Sequence, residues 1–315
     1  MVDFSIVIPT YNGEKRLPEV LEKLQDQVNN EAISWEVIVV DNNSQDQTKA
    51  VVENFQKNWQ SPAPLLYCFE PQQGLAYTRQ RGVDQAQGTW IGFLDDDNIP
   101  ATNWVIEAHQ FGQNHPQAGA FGGKVLADFA VPPPPNWQVI AGFLALRDRG
   151  EQPQLYQPEI LSLPTGAGLV VRKQVWCECL PDTPLLKGRA GTSLVCGSDW
   201  EPLIYMYQKG WEIWYDPDLV LTHKIPATRL ERKYLLNLIE SSCLPFCALR
   251  MLLAKPWQKP LIIARMIGGN FYRGLLYFSQ HRHQFETDLM TECQMQIYCS
   301  RIQSPWYWFK LRVGL

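Results

Sequence analysis

The sequence predicts an α/β fold: a doubly wound, mostly parallel sheet followed by a C-terminal helical extension. Three observations carry that expectation. Short β-branched runs alternate with amphipathic stretches from Ser5 to Leu94. The runs are apolar on both faces, as in strands covered by helices on either side. Each run ends in a polar residue: Thr10, Asp41, Glu70 and Asp95. In open α/β sheets, ligands bind at the carboxyl ends of the strands.

Taken in order, Ser5–Pro9 is a first strand stopped by proline, and Thr10–Gly13 is its loop. Leu17–Gln27 reads as an amphipathic helix, Trp35–Val40 as a strand ending in Asp41-Asn42-Asn43-Ser44, and Asp46–Trp59 as a helix. Leu65–Phe69 is a third strand, and Leu75–Ala86 a helix that Gly88 terminates. Trp90–Leu94 is the fourth strand and delivers Asp95-Asp96-Asp97. A helix over 101–114 and a strand over Ala118–Val125 follow. Pro132–Pro135 is a stiff connector leading to Trp137–Leu146, a helix or loop expected over the site. Thr165–Val171 is a strand whose Gly166 and Gly168 allow close backbone approach. Residues 180–198, rich in Pro, Gly and Thr, predict a mobile loop, and Gly197–Glu201 opens a helix. Trp211–Tyr215 and Val220–His223 are two short strands; Leu230–Ala254 and Pro260–Gln280 are helical.

The chain of 315 residues is long enough for one large domain or two. Its charge is unevenly spread. Residues 1–225 hold 16 Lys+Arg against 27 Asp+Glu, and residues 226–315 hold 12 against 5. The acidic body offers no basic groove, which argues against nucleic acid as a partner. The basic, aromatic tail suits an anionic surface. The first ten residues enter a strand pattern directly, so no cleaved signal segment is expected. No run of about 18 uncharged apolar residues occurs, so no membrane span is expected. The eight cysteines lack disulfide-framework or zinc spacing and read as reduced thiols of a cytosolic protein.

Asp95-Asp96-Asp97 is the stretch richest in chemistry. If the backbone stays extended there, Asp95 and Asp97 point to one side. Two hard oxygen ligands so placed suit Mg²⁺ or Mn²⁺ carrying a diphosphate. The competing reading is an acidic surface turn.

Four segments together resemble the family-2 glycosyltransferases of the GT-A nucleotide-sugar-binding fold. They are Val7-Ile8-Pro9-Thr10-Tyr11-Asn12, Val39-Val40-Asp41-Asn42-Asn43-Ser44, Phe93-Leu94-Asp95-Asp96-Asp97 and Ser198-Asp199. Asn12–Pro18, Gly166–Lys173 and Gly210–Tyr215 carry a closer similarity, to the HpsE-type glycosyltransferases of cyanobacterial hormogonium polysaccharide synthesis. The resemblance implies a metal-dependent, inverting transfer from a nucleotide sugar, a UDP-sugar above all, to a glycan or lipid-linked acceptor. It implies that Pro9, Thr10 and Tyr11 line the base pocket, with Tyr11 stacking, and that Asp41 accepts a hydrogen bond from the base. Arg79 would reach base or phosphates, although Gln80 stands where the family often has Asn. Asp97 would hold the metal with His223; Asp95 would bind sugar or ribose hydroxyls or the metal through water. Asp96 would bind ribose or face out. Asp199 would be the general base, helped by the acidic character of Glu201, although Ser198 replaces the first acid of the family's pair. A plain helix N-cap is the competing role for Asp199. Arg229, with Arg232 and Lys233, would hold the leaving diphosphate or form a solvated helix face. Trp137, Gly166 and Gly168 would border the sugar or acceptor pocket.

The implied organisation is a catalytic domain over 1–226 and a helical region over 227–315. The apolar run of that region is interrupted by Arg265, Asn270 and Arg273, so it should lie on a surface rather than cross a bilayer. Peripheral attachment to the cytosolic face of the plasma membrane is one expectation; packing on the core or in a homodimer is the other. Two alternatives to a transferase stand beside it. A catalytically inactive nucleotide-sugar or glycan-binding protein is favoured by Ser198. A sugar nucleotidyltransferase would need a glycine-rich, basic loop after the first strand, where Thr10-Tyr11-Asn12-Gly13 stands instead.

Overall fold

The computed structural model describes residues 2–28, 31–181, 183–186, 197–285 and 287–313. The first elements follow the expected order: β1 (Phe4–Thr10), α1 (Leu17–Gln25), β2 (Trp35–Asp41), α2 (Thr48–Asn58), β3 (Leu65–Phe69), α3 (Leu75–Gln85) and β4 (Trp90–Phe93). Leu17, Val20, Leu21 and Leu24 form the buried stripe of α1, at the spacing that fills one helix face. β1 and β2 are buried at every position. The next elements are β5 (Asn98–Pro100), α4 (Trp104–Asn114), β6 (Ala118–Phe129), β7 (Gln154–Leu155), β8 (Val170–Arg172), α5 (Lys173–Cys179), α6 (Trp200–Gln208) and β9 (Glu212–Ile225).

Among the described residues the sheet runs β3-β2-β1-β4-β8-β6-β9-β5, with β7 on β9. β3, β2, β1 and β4 pair in parallel. β8 is antiparallel to β4 and β6, and β5 is antiparallel to β9. The β1–β2 register ends with Thr10 beside Asp41, so both reach the carboxyl edge together. Pro9 is tolerated inside β1 because pairing with β4 ends at Val7–Phe93, before its missing N–H is needed.

Four expectations change. β4 ends at Phe93, and the chain then turns: the Asn98 N–H donates to the Asp95 carbonyl at 3.0 Å. The extended backbone assumed for Asp95 and Asp97 is therefore absent. β8 is shorter than the strand expected from Thr165, since Gly168 has φ +69° and leaves the strand geometry. The two late strands are one, β9, running through Pro217; the Asp216 carboxylate accepts the Asp218 N–H at 3.1 Å inside it. Trp137–Leu146 gives only a short 3₁₀ turn, Trp137–Ile140. The loop expected over 180–198 falls largely on residues 182 and 187–196, outside the described set.

The chain divides into two compact units: Met1–Asp128 with Ala145–Gly191 and Ser198–Lys224, and Phe129–Leu144 with Thr192–Gly197 and Ile225–Leu315. The first contains almost all of the sheet. The second holds α7 (Arg232–Cys243), α8 (Phe246–Leu253), α9 (Lys259–His281) and α10 (Leu289–Val313). The single helix expected over Leu230–Ala254 is interrupted between Cys243 and Phe246, at Leu244-Pro245: the backbone of both residues stays in the helical region, but Pro245 has no N–H to continue the hydrogen-bond ladder. α10 has no clear apolar stripe and contains Pro305, which hid it in the sequence. Among the described residues one stretch, Arg232–Leu253, is by length and composition apolar enough to cross a membrane; its most apolar 18-residue window has a mean hydropathy of 1.3 and is 56% buried within the protein. Cys247, Met251 and Met266 form a core in this unit. The described cysteines are free thiols.

Candidate active site

The carboxyl edge of the sheet gathers three carboxylate clusters. In the first, Asp41 ends β2 and is buried. Its Oδ1 accepts the Ser44 N–H at 2.9 Å, the turn-capping bond expected of an Asp-Asn-Asn-Ser loop. Its Oδ2 accepts the Tyr67 hydroxyl at 2.8 Å. Burial, then the bond to Asp41, pushes the Tyr67 phenol well up. Tyr67, unnoticed in the sequence, thus orients Asp41 from β3. Each carboxylate oxygen has a second lone pair, so a base N–H can still be accepted.

The second cluster centres on Asp96, which is buried and does not face out. Arg16 grips it through two bonds, Nε to Oδ1 at 2.8 Å and Nη2 to Oδ2 at 2.9 Å. The Thr10 hydroxyl donates to Oδ2 at 2.6 Å. Burial pushes the Asp96 carboxyl up against the opposing pull of Arg16, whose own guanidinium is held above its usual value by that hydrogen bond. Asp96 and Thr10 therefore brace the β1–α1 loop. Arg16 also holds the Tyr11 carbonyl at 3.1 Å, while the Tyr11 side chain stays 40% exposed at the loop tip. Arg16 was visible only as part of a motif; a bidentate partner 80 residues away leaves no local signal.

The third cluster spans α3, the end of β4 and the start of α6. Arg79 is buried rather than solvated. It forms an ion pair with Asp199, lies 3.8 Å from Asp95 and donates to the Gly166 carbonyl at 3.5 Å. Its guanidinium lies over the Phe93 ring at 5.2 Å. Arg81, two residues on, is exposed and donates to Cys68 Sγ at 3.2 Å. Asp199 occupies the N-cap position of α6 but makes no capping bond; its carboxylate is turned to Arg79 instead. A Cβ on Gly166 would overlap both Asp199 and Arg79, so this glycine admits the ion pair. Glu201 does not add a free acid here. It is buried and accepts the N–H groups of Leu185 at 2.8 Å and Leu186 at 2.7 Å, and burial raises its carboxyl.

Asp97 and His223 meet across β5 and β9. The pairing sets Asn98 opposite His223, and the Lys224 N–H donates to the Asp97 carbonyl at 3.0 Å. His223 Nε2 lies 3.6 Å from Asp97 Oδ2, and both side chains are buried. Asn98 donates to Asp97 Oδ1 at 3.1 Å. Mg²⁺ and Mn²⁺ sites often use one or two protein ligands with substrate phosphates completing the shell. The Asp97–His223 pair fits that use. Asp95, turned toward Arg79, does not join them: among the described residues no group of three His, Cys, Asp or Glu side chains forms a metal cluster.

Arg229 and Trp137 belong to the other compact unit. Arg229 lies in a 3₁₀ turn just after β9. Trp137 packs edge-on against Phe129 at 5.2 Å. Arg232 is exposed at the start of α7 and pairs with Glu292 through bonds of 2.6 and 2.8 Å.

Residues 5–172 match the sequence profile of glycosyl transferase family 2. Among curated relatives, an uncharacterized glycosyltransferase YfnE of Bacillus subtilis is 34% identical over 125 residues, 38% of this chain and 30% of its own. A GalNAc(5)-diNAcBac-PP-undecaprenol beta-1,3-glucosyltransferase of Campylobacter jejuni is 35% identical over 100 residues, 31% of this chain and 30% of its own. The matches thus span about a third of those relatives. Among solved structures, residues 1–349 of S. aureus TarS in complex with UDP superpose with a TM-score of 0.53 at 18% identity, covering 100% of this chain and 92% of that one. The mannosyltransferase PcManGT of Pyrobaculum calidifontis, in complex with GDP-Man and Mn²⁺, gives 0.60 at 17%, covering 96% and 87%. The architecture is accordingly the GT-A fold. With the family profile matching more than half of its length, the chain belongs to glycosyl transferase family 2.

Proposed function

We propose that the chain is a metal-dependent, inverting glycosyltransferase that moves a hexosyl group from a UDP-sugar to a glycan or lipid-linked acceptor. The reading further places it with the HpsE-type enzymes of polysaccharide synthesis, working at the cytosolic membrane face, with 1–226 as the catalytic domain. The observation that carries the reading is the gathering of Asp199, Arg79 and Asp95 on one side and Asp97 with His223 on the other, both at the carboxyl edge of one sheet. The UDP and GDP-Man complexes of the similar folds support a nucleotide-sugar donor.

In this reading Arg79 holds Asp199 Oδ1, which leaves Oδ2 to accept the acceptor hydroxyl's proton. The acceptor oxygen bonds to the anomeric carbon as the bond from that carbon to the diphosphate breaks, inverting the centre. Asp97 and His223 would hold a divalent ion, which would supply neutralising charge for the departing diphosphate. Asp41 and the Pro9-Thr10-Tyr11 loop would hold the base. Asp95 would meet sugar or ribose hydroxyls, while Asp96, held by Arg16, would shape the ribose side. Arg229 would pair with the leaving diphosphate.

The test is a nucleotide-sugar panel read as thermal stabilisation and as transfer, with and without Mn²⁺, for the native chain and Asp199→Asn. The expected outcome is Mn²⁺-enhanced stabilisation by a UDP-sugar in both proteins, and loss of most turnover in the variant. Donor binding without turnover in the native chain would favour the inactive binding protein instead. Near-native turnover in Asp199→Asn would remove that residue from its role.

A further inference from the structure

Helix α9 presents its apolar face outward. Its buried stripe is short: Met266, Asn270 and Gly274, one residue per turn. The opposite stripe carries Leu261, Phe271, Leu275 and Phe278, between 51% and 62% exposed. In a soluble helix the larger apolar stripe faces the core. Here the large side chains from Ile267 to Phe278, with Leu261 at the start of the helix, are left uncovered in the folded chain, well beyond scattered surface residues.

The charge around this row is of one sign. Residues 241–285 contain six Lys or Arg and no Asp or Glu. Of these, Lys255, Arg265, Arg273 and Arg282 are exposed. Arg273 is steadied by Asn270 Oδ1 at 3.2 Å. Exposed Trp257 and Tyr272 add aromatic groups of the kind that settle at a membrane–water interface.

We infer that α9 lies flat on an anionic lipid bilayer, with Leu261, Phe271, Leu275 and Phe278 entering the acyl boundary and Arg265 and Arg273 on lipid phosphates. A second copy of this chain fits the face poorly. A two-fold interface sets the same patch against itself, bringing like charges together with no acid on the helix to answer them. Crossing the bilayer is also disfavoured, because Arg265, Asn270 and Arg273 divide the helix where a span would need hydrocarbon. The polar groups of a surface-lying helix reach water and headgroups instead. This goes beyond the transferase reading and does not depend on it; it gives the peripheral attachment a specific helix face and lipid chemistry.

The experiment is flotation of the full chain with phosphatidylcholine vesicles, with and without phosphatidylglycerol, without donor or acceptor. The chain should float with the mixed vesicles at low salt, less at high salt, and weakly with phosphatidylcholine alone. Phe271→Glu with Leu275→Glu should abolish flotation. Arg265→Gln with Arg273→Gln should weaken partitioning into mixed vesicles by about 30-fold, near 1 kcal/mol for each charge lost. Because all four positions are exposed, both variants should keep native helicity and thermal stability, which excludes misfolding as the cause. The inference is overturned if the native chain stays unbound with mixed vesicles at low salt. It is equally overturned if flotation ignores both pairs of substitutions, or if α9 instead mediates a dimer that Phe271→Glu with Leu275→Glu dissociates. Because the readout involves no sugar transfer, its failure leaves the transferase reading intact.

Discussion

Arg79 lies buried between Asp95 and Asp199. A guanidinium removed from water needs partners for its charge and its N–H groups, and here two carboxylates and the Gly166 carbonyl contribute. Gly166 is the narrow point. In Gly166→Ala the new Cβ would displace the Arg79–Asp199 pair and shift the proposed base. The expected result is a fall in turnover of about 100-fold, as for a base misplaced by about 1 Å, with the nucleotide-induced thermal shift retained. Unchanged turnover would show that the pair is not part of the chemistry. The sequence singled out Gly166 and both carboxylates. It could not reveal that Arg79 joins them, because the partners lie 87 and 120 residues away along the chain.

At the scale of elements, the central event is the turn after β4. The chain reverses from Asp95 to Asn98 and enters β5, whose antiparallel pairing with β9 sets Asn98 against His223. Asp97 and His223 are neighbours because of that register; a one-residue slip would turn His223 to the other face. His223→Gln keeps a polar side chain of similar reach but removes the imidazole. It should weaken Mn²⁺-dependent donor stabilisation on the order of 10- to 100-fold while leaving metal-free nucleotide binding near native. A titration of thermal shift against Mn²⁺ at fixed UDP distinguishes these, and equal Mn²⁺ dependence in both proteins would exclude His223 as a ligand. Helices α1 to α4 were readable from a regular apolar spacing, and the first four strands from short β-branched apolar runs between turn residues. β5 has three residues and the 3₁₀ turns are as short, so no period can announce them. Trp211–Tyr215 and Val220–His223 read as two strands, yet β9 continues through Pro217, with Asp216 accepting the Asp218 N–H.

For the molecule as a whole, buried carboxyls couple folding to pH. Asp216 is buried, and burial raises its carboxyl from 3.8 to about 7. A raised value in the folded state means that the protonated form folds more favourably. Its contribution is present below the unfolded value and is lost as pH rises through about 7. Melting temperature should therefore fall as pH rises from about 4 to about 7, and Asp216→Asn should flatten that fall by remaining neutral across the interval. Parallel slopes for the two proteins would remove Asp216 as the cause. Charge distribution operates at this scale too: the acidic first 225 residues and the basic remainder were legible from a count, since composition needs no geometry. The sequence by itself determined the α/β class, the first four strands of a mostly parallel sheet and the strand-end carboxylates, because apolar patterning and polarity are local properties. Only the tertiary structure decided which carboxylate meets which partner: Asp96 with Arg16, Asp95 and Asp199 with Arg79, Asp97 with His223. Those pairings depend on strand register and on helix docking across long sequence separations, where a buried charge takes the partner that folding brings to it.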